Sequence, residues 1–287
     1  LEGSLTGKQD GYRSGSIAAR AQELNALLHN PQIKCIMAAI GGMNTNSILP
    51  YVDYDALRKN PKIIVGYSDV TALLLAIYAK TGLTTYYGPA LVASFGEYPP
   101  YVNDTFSYFS AVTMGVKTAP YLLPTPTVWT EERLDWNTQT AAKKPQPNAL
   151  ITVQSGKAEG RLLGGNLNTM QGIWNTAYFP KIQQGDILFL EDSLKDAADL
   201  ERSFSLLKLS GVFDKIGGMI LGKHELFDDL QTGRKPYEIL QEVLGKTDFP
   251  ILAAFDCCHT HPMLTLPIGC TVSLDATRQT VTIISEF

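Results

Sequence analysis

Apolar residues recur at helical spacing over 16–29, where Ile17, Leu24, Leu27 and Leu28 share a side and Asn30-Pro31 ends the run, so the pattern predicts a surface helix. The next block, 33–40, is short, apolar and closed by Gly41-Gly42, which suits a buried strand delivering a loop. Ile63-Ile64-Val65 forms a second such block ending at Gly66, and helical spacing returns over 70–79. Strand, loop and helix in this alternation predict a parallel sheet covered by helices. Between 95 and 148 the period is lost: Pro99, Pro100, Pro120, Pro124, Pro126, Pro145 and Pro147 punctuate a stretch carrying Trp129 and Trp136, read as a linker with an aromatic-rich loop rather than as core. Further on, Leu162-Leu163-Gly164-Gly165-Asn166 leads into a helix through Trp174. The blocks 187–190, 218–222 and 251–255 read as buried strands, 197–209 as a helix, and 271–274 with 280–284 as an antiparallel pair. The expected fold class is therefore α/β. An N-terminal domain over 1–118 holds a mostly parallel sheet flanked by helices, 119–149 forms the Pro/aromatic-rich linker and loop, and 150–287 makes a smaller α/β C-terminal domain.

Composition narrows the partners. The 287 residues are 45% hydrophobic, enough for one large core or two modest ones, and 24 basic against 28 acidic side chains give a net charge of -4. That balance offers no broad cationic face to a nucleic-acid polymer. Cys35, Cys257, Cys258 and Cys270 are too sparse for a disulfide scaffold, so a reducing, cytoplasmic setting is expected. No apolar run approaches the length of a membrane span, and Leu1-Glu2-Gly3-Ser4-Leu5 has no basic start followed by an apolar stretch. The sequence also begins without an initiator methionine, which leaves room for residues upstream.

Three places carry candidate chemistry. In Gly66-Tyr67-Ser68-Asp69-Val70-Thr71 a strand turns abruptly into a helix, which exposes the Ser68 hydroxyl beside the first free amides of that helix. The segment lacks the G-x-S-x-G spacing, and Ser68 or Asp69 is equally placed to cap the helix. A serine nucleophile needs a general base, and only His29, His224, His259 and His261 are available. His29 ends a surface helix and His224 follows a strand, whereas His259 and His261 lie in a loop just beyond a buried strand, where α/β sites gather. Zinc is disfavoured there, because adjacent cysteines rarely share one tetrahedral ion and no C-x-x-C or H-E-x-x-H completes a site. Glu191, at the end of an apolar strand, suits the carboxylate that orients an imidazole, though capping or an ion pair would also explain it.

Taken together, Gly41-Gly42-Met43-Asn44, the Ser68 segment, Tyr87-Gly88-Pro89, Gly164-Gly165-Asn166-Leu167, Leu190-Glu191-Asp192 and His259-Thr260-His261-Pro262 through Leu266-Pro267-Ile268-Gly269 resemble the S66 serine peptidases. That family holds LD-carboxypeptidases of murein recycling and self-immunity proteins against microcin C. Met43-Asn44-Thr45-Asn46, Tyr87 and the tryptophan-bearing loop are more similar to the immunity branch. The resemblance implies a triad of Ser68, Glu191 and His259, and an oxyanion held by amides near Gly42 and Asp69. It also implies a peptidyl- or aminoacyl-nucleotide substrate with Trp136 stacked on its base and Asn168 and Lys195 on its polar part. No cofactor and no metal are implied, and a homodimer is. Anchoring of the loop is the alternative role for Trp129 and Trp136. The resemblance also implies a first strand and helix ahead of Leu1, a glycine where Cys258 stands and an acidic residue where His261 stands. The rival readings are an LD-carboxypeptidase on murein tetrapeptides, a non-catalytic nucleotide-ligand binding protein and a zinc hydrolase.

Overall fold

The computed structural model describes all residues, 1–287. Helix α1 (Ile17–His29) starts where the Ser16 hydroxyl accepts the Ala19 amide, and it buries Ala21, Leu24 and Leu28. Strand β1 (Cys35–Met37) leads through a loop and a 3₁₀ segment to α2 (Tyr54–Lys59), β2 (Ile63–Gly66), α3 (Thr71–Thr81) and β3 (Thr85–Tyr87). Helix α4 (Tyr101–Thr113) and the short strands β4 (Tyr121–Leu122), β5 (Val128–Trp129) and β6 (Gln146–Pro147) follow. Next come β7 (Ile151–Gln154), β8 (Lys157–Asn166), α5 (Leu167–Gln171), β9 (Ile187–Ser193), α6 (Ala197–Leu209), β10 (Gly218–Glu225), α7 (Pro236–Leu244) and β11 (Ile251–Phe255). The chain closes with β12 (Leu266–Ile268), β13 (Thr271–Asp275) and β14 (Thr280–Ile283).

Two sheets carry the fold. The smaller has the order β1-β2-β3-β12, parallel except for β12; in the larger, β4-β14-β13-β8-β9-β10-β11-β7, the central β8-β9-β10-β11 run is parallel. The α/β expectation holds, and so does the antiparallel pair at the end, β13 with β14. The central strands are buried on both faces, which explains their unbroken apolar runs, as in Ile187, Leu188, Phe189 and Leu190.

The structure departs from the sequence pattern in three places. Strand β1 stops at Met37 rather than running to Ile40, because the carbonyls of Ala38 and Ala39 accept the amides of Leu91 and Val92 and turn the chain away. The stretch from 95 to 148 is not all linker: α4 lies inside it and buries Tyr101, Thr105, Phe109, Ala111 and Val112, with the prolines standing at its borders rather than breaking it. Finally, the stretch entering helix after Asn166 holds regular α-helix only to Gln171.

The topology puts strand ends in register. Strand β12 returns from the far end of the chain to pair with β3, Leu266 opposite Tyr87, so the loop after β11 spans from the larger sheet to the smaller. The ends of β2, β8, β9 and β11 and this loop carry the residues considered next.

Candidate active site

Ser68 follows β2 by two residues and opens a single 3₁₀ turn, Ser68–Val70, that runs into α3. Its φ of 58° holds a non-glycine residue in the left-handed region, a strain of about 1–3 kcal/mol that the surrounding turn must balance. The Ser68 amide donates to the Tyr87 hydroxyl at 3.4 Å, while the side-chain Oγ has no partner within the chain. The Gly41-Gly42 loop lies against this turn. A Cβ on Gly41 would come within 2.8 Å of Ser68 Cβ and 3.0 Å of its Oγ, so a side chain there would cover the hydroxyl. Asp69 ties the two segments together: its Oδ2 accepts the amides of Asn44 and Thr45, both at 2.9 Å, and the Thr45 hydroxyl at 2.7 Å. The loop bearing the Gly42 amide is thereby fixed beside the turn bearing the Asp69 amide.

Glu191 is fully buried inside β9, which runs on through Asp192 to Ser193 rather than ending with the apolar block as the sequence pattern predicts, and its three polar contacts use both oxygens. Oε2 lies 2.8 Å from His259 Nδ1; Oε1 accepts the Tyr87 hydroxyl at 2.5 Å and the Asn166 amide nitrogen at 3.0 Å. Glycine at 222 on the neighbouring β10 makes room, since a Cβ there would sit 2.8 Å from Glu191 Cβ. His259 packs edge-on against Tyr67, ring centroids 4.8 Å apart at 71°, and its Nε2 is unpaired. Tyr67 directly precedes Ser68 in the chain, and no hydrogen bond joins His259 Nε2 to the Ser68 hydroxyl.

Burial disfavours charge on both partners of this pair, yet each favours the charge of the other. The His259 ring, helped by Tyr87 and Asn166, holds the Glu191 carboxyl below the usual range against its burial. Burial likewise opposes the imidazolium, but Glu191, with Glu225 and Asp192 behind it, holds His259 above the ordinary histidine value. Asp192 is pushed up to about 6 by burial and by the adjacent Glu191 charge, and it accepts the Asn166 side-chain amide (3.1 Å) and the Asn168 backbone amide (3.0 Å). A fixed carboxylate, an oriented imidazole and an unpaired hydroxyl beside helix-start amides can activate the hydroxyl for attack on an acyl carbon.

The other histidines are engaged elsewhere. His29 meets Asp53 at the surface (2.9 Å), and His224, pushed down to about 4 by burial, pairs its Nδ1 with the Gly222 carbonyl (3.0 Å). His261, pushed down to about 3 by burial and by the Lys143 charge, faces Glu97 at 3.5 Å. Of the four, only His259 reaches Glu191. Cys258 turns its thiol to the Thr260 hydroxyl (3.1 Å), so Cys258, His259 and His261 address three different partners rather than one point.

Asn168 is exposed with its side chain unpaired, and Lys195 is half-buried without an ion pair; both border Asp192, the first through its amide and the second through its charge. Trp136 is 51% exposed in the loop after β5 and makes no aromatic contact, whereas Trp129 lies under the Lys223 ammonium, 5.2 Å from its ring centre. Trp129 is thus the anchoring tryptophan and Trp136 the free one. Tyr87 and Asn166 are the residues that the sequence named in motifs without giving them work. Both end strands and reach Glu191 from there. Replacing Tyr87 by Phe removes a hydrogen bond to a buried charged group and is expected to cost about 1–3 kcal/mol of stability in a denaturant titration, together with a lower kcat.

With this geometry in place, comparison with known proteins identifies the class. Residues 2–88 match the model of the LD-carboxypeptidase N-terminal domain and residues 159–274 that of the LD-carboxypeptidase C-terminal domain, both of peptidase S66. The chain belongs to the S66 peptidase family of serine hydrolases. It is 56% identical to a putative carboxypeptidase of Vibrio cholerae over 280 residues, 98% of this chain and 84% of that protein. It is 52% identical to the microcin C7 self-immunity protein MccF of Escherichia coli over 289 residues, covering 100% of this chain and 84% of that one. The wild-type apo structure of MccF superposes with a TM-score of 0.97 at 52% identity, over 100% of this chain and 86% of that one.

Proposed function

We propose that this chain hydrolyses the amide bond joining an aminoacyl or peptidyl group to a nucleotide, as self-immunity against a compound of the microcin C type. The observation that carries the reading is the match to MccF over the whole chain, because MccF has been solved in complex with aspartyl sulfamoyl adenosine, with glutamyl sulfamoyl guanosine and, as a tryptophan-to-phenylalanine variant, with adenosine monophosphate. Ser68 attacks the acyl carbon while His259 Nε2 takes its proton, and Glu191 steadies the imidazolium through Nδ1. The amides of Gly42 and Asp69 hold the oxyanion. The tetrahedral intermediate expels the nitrogen leaving group, which receives the proton from His259. Water then attacks the acyl-Ser68 ester by the same route and restores the hydroxyl. Trp136 stacks on the nucleobase, and Lys195 and Asn168 bind the polar linkage. An MccF variant described as an active-site mutant has a serine, an asparagine and a lysine changed to alanine, the residue types of Ser68, Asn168 and Lys195. We place the activity in the cytoplasm, consistent with four free cysteines, and in a homodimer, as the family resemblance implies.

A second reading, LD-carboxypeptidase action on murein tetrapeptides, is favoured by the family models and by the putative carboxypeptidase relative. Mass spectrometry of products after parallel incubation with an aspartyl adenylate phosphoramidate and a murein tetrapeptide separates the two. Release of aspartate from the first with the tetrapeptide intact is expected; loss of D-alanine from the tetrapeptide alone would transfer the proposal to the second.

A further inference from the structure

The segment carrying Trp136 is joined to the His259 loop by a backbone bridge at its start and held at its far part by a buried carboxylate that also faces His261. Thr130, where the segment begins, exchanges backbone hydrogen bonds with His261 at 2.9 and 3.0 Å. Its far part hangs on Glu97, which precedes α4 and has a side chain 1% exposed. Lys143 Nζ lies 2.6 Å from Glu97 Oε1, His261 Nε2 approaches the same oxygen at 3.5 Å, and Gln139 Nε2 donates to Oε2 at 3.3 Å. The Tyr98 hydroxyl adds a bond to the Gln139 carbonyl (3.1 Å), and Glu131 accepts the Leu226 amide at the end of β10 (2.9 Å). Trp136 projects from between these fixings. Taking both members of an ion pair out of water gains little net stability, and its best-attested use is to fix one arrangement among several. Here the arrangement fixed is that of two loops, one bearing the free tryptophan and the other the unpaired imidazole nitrogen.

We propose that Glu97 and Lys143 form a specificity clamp: positioning residues that set the Trp136 loop against the His259 loop and give the site its preference for a leaving group that carries an aromatic base. The proposal rests on the function given above. A substrate with a base spans from Ser68 to Trp136 and feels the clamp through its KM, whereas one without a base never reaches the loop.

The test compares an aspartyl phosphoramidate of adenylate with the same phosphoramidate bearing methyl in place of the nucleoside. Lys143→Met alone strands a buried carboxylate, so it is accompanied by the double variant Glu97→Gln/Lys143→Met, which removes both charges. In the double variant KM for the adenylate is expected to rise about tenfold, the scale of one lost base–aromatic stack. Its kcat, and both constants for the methyl compound, stay within about twofold of wild type. An unchanged KM for the adenylate, or an equal loss on both substrates, overturns the clamp. Hydrogen–deuterium exchange on the same proteins gives a readout independent of substrate. Faster exchange over 131–145 with β9 and β10 as protected as in wild type is expected, and unchanged exchange there defeats the clamp. A wild-type protein that hydrolyses neither compound defeats the function instead, leaving the exchange result to decide the clamp.

Discussion

Replacing Ser68 by alanine is expected to lower kcat by about 10⁶-fold while ligand affinity stays close to wild type. The substitution is unusually clean at this position. The hydroxyl bonds to nothing in the protein, so its loss strands no donor or acceptor, and alanine bears the same left-handed φ with the same Cβ in place. Stability should hardly move. Calorimetric titration with a non-hydrolysable aminoacyl sulfamoyl adenosine measures retained binding, and loss of labelling by a fluorophosphonate probe confirms that Ser68 was the reacting group. A fully active variant would end the proposed mechanism.

Glu191→Gln is expected to reduce kcat by about 10⁴-fold, because an amide in place of the carboxylate can present N–H to His259 Nδ1 and favour the tautomer that cannot take the serine proton. The same change has a signature in pH. Burial works against the imidazolium, but Glu191 holds His259 above its ordinary value, so the acid limb of kcat/KM, where His259 becomes protonated and inactive, should lie above about 6.5 in the wild type. Without the carboxylate charge, burial acts unopposed by its largest counterweight and the limb moves to lower pH. A limb that stays in place in Glu191→Gln would mean that another group controls the proton.

The strand blocks 63–66, 187–190 and 251–255 were legible as sequence because central strands of a parallel sheet are apolar on both faces, and each points to a candidate at its end: Ser68, Glu191 and the His259 loop. Choosing His259 over His261 needed the family resemblance. The fold supplies a physical reason, since His261 is turned to Glu97 and kept neutral by its burial. Helix α4 was hidden because its inward stripe mixes Tyr101 and Thr105 with Phe109 and Val112, and because prolines at its borders imitate those of a linker. Strand β12 was hidden by brevity, three residues with Pro267 in the middle. The Glu97–Lys143 pair was beyond reach altogether: hydropathy assigns both residue types to the surface, and only the fold makes them partners in the interior.

The return of Leu266–Ile268 to the edge of β3 has a bearing on how this architecture can be re-engineered. A front half grafted from a relative would arrive without the strand that closes its sheet, and a donated back half would bring a strand fitted to another host. Chimeras cut at the middle of the sequence therefore break the seam on which the imidazole is carried toward the hydroxyl. Changes of selectivity belong instead in the exchangeable tips beyond the strand ends, where new side chains can be offered without unpicking the stitching beneath them.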